Sequence, residues 1–387
     1  MNLSVLLVLS LAAPSTWTVD DDGPADFSSI RTALFNVAPG DTLLVEPGTY
    51  GPFVATQRVT ILGRFGPPRP KILDKSYVIG APAVTIVGLE FESLTVKDVV
   101  GRALVDDCEI EDGDLVIDSC ERFLLSRIEV RTPAAAGGIG ADVVSSHGFM
   151  VLCDVEGGDG PGGSIFGTRG GDGGSALRVR GGSEVTIVAS RLIGGKAGVG
   201  FVDGRAGDGL LVEGGTAVVR GAPHDVLDDG AYDTCCGGTP GFSIQAESAA
   251  TVVWSGVSLP AGIGGTGAVT QAPAAEPYVY VTGDDLPGGH RSLRVLGTPG
   301  VPAIVLFATE AKVVDVPRYD GQLWLDPSAL DSIWVATTPG SASIPLPTAP
   351  GLEGKSLVVQ AGFPTVPSTT SPGDHLLSNP ALVVMRF

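Results

Sequence analysis

The sequence predicts an all-β chain: a parallel β-helix entered through an N-terminal capping helix and followed by a small β-sandwich. Three observations predict it. Short apolar runs with period-two alternation recur through the middle of the chain, in units of about 20 residues. Such a unit cannot bury its own inner face, so stacking successive units is the way to a continuous core. Glycine (56 of 387 residues) and proline (29) punctuate the runs, glycine at roughly twice its average usage. No unbroken Gly-X-Y period accompanies them, which excludes collagen. The hydrophobic share of 43% excludes a disordered chain. A net charge of -19, from 24 Lys+Arg against 43 Asp+Glu, argues against a nucleic-acid partner, because phosphate binding needs clustered positive charge.

In chain order, Leu3 to Ala13 is apolar, too short for a membrane span and suited to a signal peptide over residues 1–15. The n-region, Met1-Asn2, lacks the usual Lys or Arg. No later segment reads as transmembrane, so the expected location is secreted or cell-surface. Asp26 to Phe35 then reads as an amphipathic helix, with Asp26 as N-cap and Phe27, Ile30, Leu34 and Val37 on one face. A short helix there would cover the open edge of a solenoid.

The coils are assigned to residues 16–262. Leu115-Val116-Ile117-Asp118, Phe123-Leu124-Leu125 and Ile128-Glu129-Val130 form one unit. Ala176 to Val179, Val185 to Ile187 and Leu192-Ile193 form another. Alternation puts Leu177, Val179, Val185 and Ile187 inside and Arg178, Arg180 and Thr186 outside. Aligned by their strands, Cys108, Ser126, Cys153 and Ser190 are expected in one inner-corner column, with Cys108 and Cys153 two coils apart and unable to form a disulfide. Asp118, Arg180 and Glu213 are expected in an outward column, with Arg180 beside Glu213. Four glycine-rich excursions, 132–140, 157–175, 194–208 and 222–241, leave after the third strand. Mobile loop is the default reading, closely stacked extended chain the alternative.

A linker is expected over 263–276. From Pro277 to the C-terminus, short strands at sandwich spacing are separated by proline and glycine turns, which predicts the β-sandwich over 277–387.

The stretch VDDDGPADFSSIRTALFNVAPGDTLLVEPGTYGPF, within Val19 to Gly63, resembles the N-terminal entry of right-handed parallel β-helix proteins of the pectin-lyase-like superfamily. The ending, from DGQLWLDPSAL to LLSNPALVVMRF, resembles a C-terminal β-sandwich found on secreted bacterial proteins. The first resemblance implies the right-handed fold and long glycans lying along the coils. It does not single out an activity, because the superfamily holds lyases, hydrolases, esterases and adhesins.

No Walker loop, HExxH, GxSxG or calcium-binding glycine repeat occurs, and Gly283-Asp284-Asp285 with Gly288-Gly289-His290 lies past the coils, too compressed for a galacturonan hydrolase set. The most polar excursion carries His224, Asp228, Asp229, Tyr232 and Asp233, the candidate ligand-binding residues, beside Cys235-Cys236. Asp107, Asp112 and Asp114 crowd one early turn and are the candidate Ca2+ ligands, against the plainer reading of a solvated acidic corner. The function expected first is an exported, non-catalytic β-helix presenting loops to a polysaccharide or cell-surface glycan. The alternatives are a polysaccharide lyase or glycoside hydrolase, and a structural protein of an extracellular layer.

Overall fold

The computed structural model describes residues 14–384, apart from 134–136, 164–167, 222–224, 231–237, 273–276, 284–289, 309–313, 316–318, 321, 326, 346–355 and 365–374. The predicted signal peptide therefore lies outside the described residues. Residues Thr16 to Gln271 form one long parallel sheet wound as a solenoid, in which each strand pairs with the strand one coil earlier and one coil later. The coils continue past residue 262, because Ile263–Gly265 and Ala268–Gln271 add to the ladder.

Each full coil has three faces. The first is represented by Arg102–Asp106, Phe123–Ser126 and His147–Val151, in register. The second is represented by Glu109–Glu111, Glu129–Arg131 and Asp154–Glu156. The third is represented by Leu115–Asp118, Ala141–Val144 and the first part of Leu177–Val188. Side chains alternate across every strand, so Leu177, Val179, Val185 and Ile187 fill the bore at 2% exposure or less. Arg178, Arg180 and Thr186 point outward and are half-buried.

The corners depend on single left-handed residues. Between the first and second faces these are Gly88, Asp107, Arg127, Leu152 and Ala189, with φ between 47° and 71°. One such residue turns the chain sharply, and the next side chain points into the bore. Those next residues are Leu89, Cys108, Ile128, Cys153 and Ser190, all buried. Glu109 pairs with Glu129, and Glu129 with Asp154, which puts Ile128 rather than Ser126 in the cysteine column. Ser126 belongs to the first face, opposite Asp106 and Val151. Cys108 and Cys153 are two coils apart, and Cys108, Cys120 and Cys153 are free thiols. At these corners the small side chains also close hydrogen bonds: the Ser190 hydroxyl accepts from Cys153 N–H (3.1 Å) and donates to Val188 O (2.9 Å).

The helix runs over Ile30–Asn36 and is capped by Ser29, whose hydroxyl accepts from Thr32 N–H at 3.2 Å. Asp26 is not the cap. Its carboxylate accepts from the backbone N–H and hydroxyl of Thr18 (2.8 and 2.9 Å), tying the entry segment to the first strand. Ile30 and Ala33 bury completely against the start of the bore.

The glycine-rich excursions leave between the second and third faces, and their described parts are closely stacked extended chain rather than loose loops. Gly157, Gly160 and Gly163 donate in turn to the carbonyls of Ile193, Lys196 and Val199 (2.9, 2.8 and 2.7 Å). Gly195, Gly198 and Phe201 donate to Gly174, Gly171 and Thr168, and Gly170, Gly173 and Ala176 donate to Val202, Arg205 and Asp208. Bonds that recur every third residue match the three-residue turn of a polyproline-II helix, not the two-residue repeat of a strand. Segment 157–163 also donates to Gly138 and accepts from Gly171 and Gly174. Neighbours on three sides make this a bundle, where a sheet strand has two. A Cβ on Gly174 would lie 1.9 Å from Gly138 O, and one on Gly195 would lie 1.9 Å from Gly158 O. Glycine is required there for close approach, since neither has a left-handed φ.

Beyond Pro277 the chain forms two principal antiparallel sheets, one of three strands and one of six elements that also contains a parallel pair. They share an apolar cluster that includes Val279, Leu293, Val305 and Val359. This part of the chain lies against the side of the solenoid. It packs along the first face, where the outward side chains Leu44, Leu62, Val87, Leu104, Leu124, Val151 and Val188 meet Ala308, Trp324, Leu325 and Val358. Apolar residues on the outer side of that face explain the placement, because they would otherwise leave a long greasy stripe in water.

Candidate functional site

Where the covered part of the first face gives way to solvent, a cleft of about 660 Å³ opens between the coils and Trp324. Four successive coils supply its polar wall. His147 and Glu184 are register partners on adjacent strands. Glu121 and Arg122 both lie against His147, because His147 N–H donates to Cys120 O while Gly148 pairs with Phe123, which leaves one extra residue on the earlier coil. Thr216 continues the column next to Glu184. Glu121, His147 and Glu184 are all exposed. With coils about 4.8 Å apart, the two glutamates start from backbone positions roughly 9–10 Å apart. Arg122 adds one cation, its guanidinium 4.0 Å from the Glu121 carboxylate.

Two residues further along each strand, Phe149, Thr186 and Val218 form a parallel, less polar column. Gly148 between them faces inward, and a Cβ there would strike Phe123 O at 2.1 Å and the Phe123 ring at 2.6 Å. Phe149 meets Trp324 edge to face, with ring centroids 5.4 Å apart and an interplanar angle of 87°. Trp324 is held through its backbone N–H, which donates to Gln360 Oε1 at 2.8 Å, while the Gln360 amide donates to Ser378 O at 2.7 Å. The indole is 1% exposed, and its Nε1–H finds no acceptor among the described residues. A buried, unmatched donor costs stability unless a ligand or water completes it.

The residues singled out in the sequence are placed elsewhere. His224, Tyr232, Asp233 and the Cys235-Cys236 pair lie outside the described residues. Asp228 and Asp229 sit side by side at the edge of the glycine bundle, where Asp229 N–H donates to Asp228 Oδ1 and Gly241 N–H to Asp229 Oδ2. Burial and the neighbouring Asp228 charge raise the Asp229 carboxyl above its usual value.

Asp107, Asp112 and Asp114 are not gathered around a common point. Asp107 is paired with Arg69 at 3.1 Å, Asp114 with Lys75 at 3.1 Å, and Asp112 is an exposed corner residue at φ 64°. Among the described residues, the acids whose oxygens do come within mutual reach are Asp20, Asp21 and Asp22, at the entry to the solenoid. Arg180 shares the expected column with Asp118 and Glu213, but its hydrogen-bond partner is Asp142 (2.9 Å), which Arg178 also engages.

Sequence reasoning missed Glu121, His147, Glu184 and Trp324. The first three are separated by coils of unequal length, and the fourth arrives from the C-terminal sheets. Set against protein-family models and against curated proteins, the chain matches none.

Proposed function

We propose that this chain is an exported saccharide-binding protein that holds its ligand in the cleft between the coils and Trp324. One observation carries the reading: aromatic rings and a column of outward polar side chains meet in a single concave site. Sugar rings present apolar C–H faces together with hydroxyls at their rims, and they need both kinds of surface at once. Export rests on the apolar Leu3–Ala13 segment. Among the described residues no helix is long and apolar enough to cross a membrane.

In this reading the coils form a right-handed β-helix of the pectin-lyase-like kind, supported by the resemblance of the entry segment and by the three-faced coil. The helix at Ile30–Asn36 acts as its lid, supported by the burial of Ile30 and Ala33 on the first strands. The two C-terminal sheets form a β-sandwich, supported by their shared apolar cluster, and serve as one wall of the site.

Binding is favoured over turnover because both glutamates are exposed, whereas a general acid at neutral pH needs burial or a like charge close by to stay protonated. A second reading, glycoside hydrolysis with inversion, is favoured by the presence of two carboxylates set two coils apart in one cleft, since such hydrolases use a separated pair. Titration of the purified protein with neutral and charged oligosaccharides, followed by tryptophan fluorescence, tests the proposal. Saturable binding is expected, lost in Thr186→Trp, which fills the cleft from an outward position. Failure of every oligosaccharide to bind removes the proposal, and release of new reducing ends from a bound sugar replaces it with the second reading.

A further inference from the structure

The charges lining the cleft select among sugars. Glu121 and Glu184 stand two coils apart in the column with His147 between them, and among the described residues Arg122 is the one guanidinium or ammonium group of the lining. Arg122 lies beside Glu121, and among the described residues no ion pair holds Glu184. The chain around the cleft carries a net charge of -19. An anionic sugar entering here would meet like charge both in the site and in the long-range field. A protonated amine would meet a carboxylate on either side of His147, and the half-buried Phe149 ring offers an aromatic surface that also favours a cation.

We propose that the ligand of this cleft is an amino sugar bearing a free, protonated amine, in a short oligomer aligned with the coil stack. Glu121 and Glu184 each receive an ammonium group through a charge-assisted hydrogen bond. This inference rests on the saccharide-binding reading above and adds the charge class of the sugar.

Three probes of equal length separate the two claims: a glucosamine tetramer, its fully N-acetylated counterpart and a galacturonate tetramer, titrated calorimetrically in slightly acidic buffer. The free-amine tetramer is expected to bind at least about tenfold more tightly than the acetylated one, with the galacturonate tetramer weakest. The advantage is expected to shrink as salt is raised. In a Glu121→Gln, Glu184→Gln double variant the free-amine tetramer is expected to lose its advantage over the acetylated one. Equal or tighter binding of the acetylated or galacturonate tetramer overturns the charge class while leaving saccharide binding intact. An advantage that survives in the double variant also overturns it, since the attraction would then belong to the chain's overall charge. No binding by any of the three overturns both claims.

Discussion

The coil bore and the glycine bundle are two cores in one chain, and they are held together by opposite means. In the bore, Leu177, Val179 and Ile187 remove apolar surface from water, and the backbone of each coil is kept apart by the side chains between faces. In the bundle the side chains are absent where the segments meet, and backbone lies directly on backbone, with Gly158, Gly174, Gly195 and Gly207 hydrogen-bonded in succession. The bore is stabilised mainly by burial at about 25 cal/mol per Å² of apolar surface. The bundle relies on many hydrogen bonds worth about 0.5–1.5 kcal/mol each, and it must offset the large ordering entropy of glycine. A missing methyl group therefore harms one region, and an added methyl group harms the other.

That opposition can be broken directly. Leu177→Ala is expected to cost about 2–5 kcal/mol by opening a cavity in the bore. Gly195→Ala removes no contact at all, yet it is expected to cost about 1–3 kcal/mol because its Cβ must displace the carbonyl of Gly158. Gly51, which has open space around its Cβ position and no left-handed φ, is the control, with an expected change of about 0.5 kcal/mol or less on Gly51→Ala. Urea midpoints compare the three. If Gly195→Ala behaves like Gly51→Ala, the bundle is not close-packed.

A second contrast lies in how the two regions use acids. In the bundle, Asp159 and Asp172 accept from the backbone N–H groups of Lys196 and Arg205, at 2.8 and 2.7 Å. On the third face of the coils, Asp142 is clamped by Arg178 and Arg180. Burial by itself would raise the Asp142 carboxyl, but the hydrogen bonds and charges of the two arginines outweigh it and hold the carboxyl below its usual value. The unfolded chain binds this proton near pH 3.9. The stabilisation is therefore complete above that pH and is lost as pH falls through the lower, folded value. Melting temperatures measured from neutral pH down to about pH 3 are expected to fall less steeply in Asp142→Asn than in the parent. At neutral pH that variant is expected to lose about 1–2 kcal/mol. Equal acid slopes would remove Asp142 from the account of acid stability.

The same contrast explains what could be read from the sequence. The bore was legible because alternation survives in every strand: Leu177, Val179, Val185 and Ile187 were assigned inward from pattern alone, and all four are buried. The register between coils was less so. Ser126-Arg127-Ile128-Glu129 and Cys108-Glu109-Ile110-Glu111 look alike, but they are offset by two residues in the stack. A shift of two preserves which side chains face inward, so hydrophobic pattern cannot detect it. The deciding feature is the left-handed corner at Asp107 and Arg127, and arginine, unlike aspartate, does not announce such a φ. In the bundle the signal was present but had the wrong period for the search, since its hydrogen bonds repeat every three residues and its glycines look like loop text. The cleft was the least legible part. Its column crosses coils of unequal length, and nothing local links Trp324 to Phe149.

The corner thiols provide the finest discrimination between the two kinds of core. Burial pushes the thiols of Cys108 and Cys153 up to about 12 and that of Cys120 up to about 11. The thiolate is the reactive form, so at mildly alkaline pH these three are expected to resist alkylation in the folded protein and to react at once in denaturant. Peptide-resolved mass spectrometry reads each site separately. Labelling of Cys153 at the rate of an unfolded thiol would mean that the corner opens readily. Cys153→Ser is expected to cost less than about 1.5 kcal/mol, because the volume changes little and Ser190, its neighbour one coil on, already fills the equivalent corner with a hydroxyl. The Cys153 thiol points to the carbonyls of Leu125 and Val151, at 3.7 and 3.6 Å, and a serine hydroxyl there would face the same acceptors. A larger loss would show that the corner needs the bulk of sulfur, and so that it belongs energetically to the apolar bore rather than to the hydrogen-bonded kind of packing seen among the glycines.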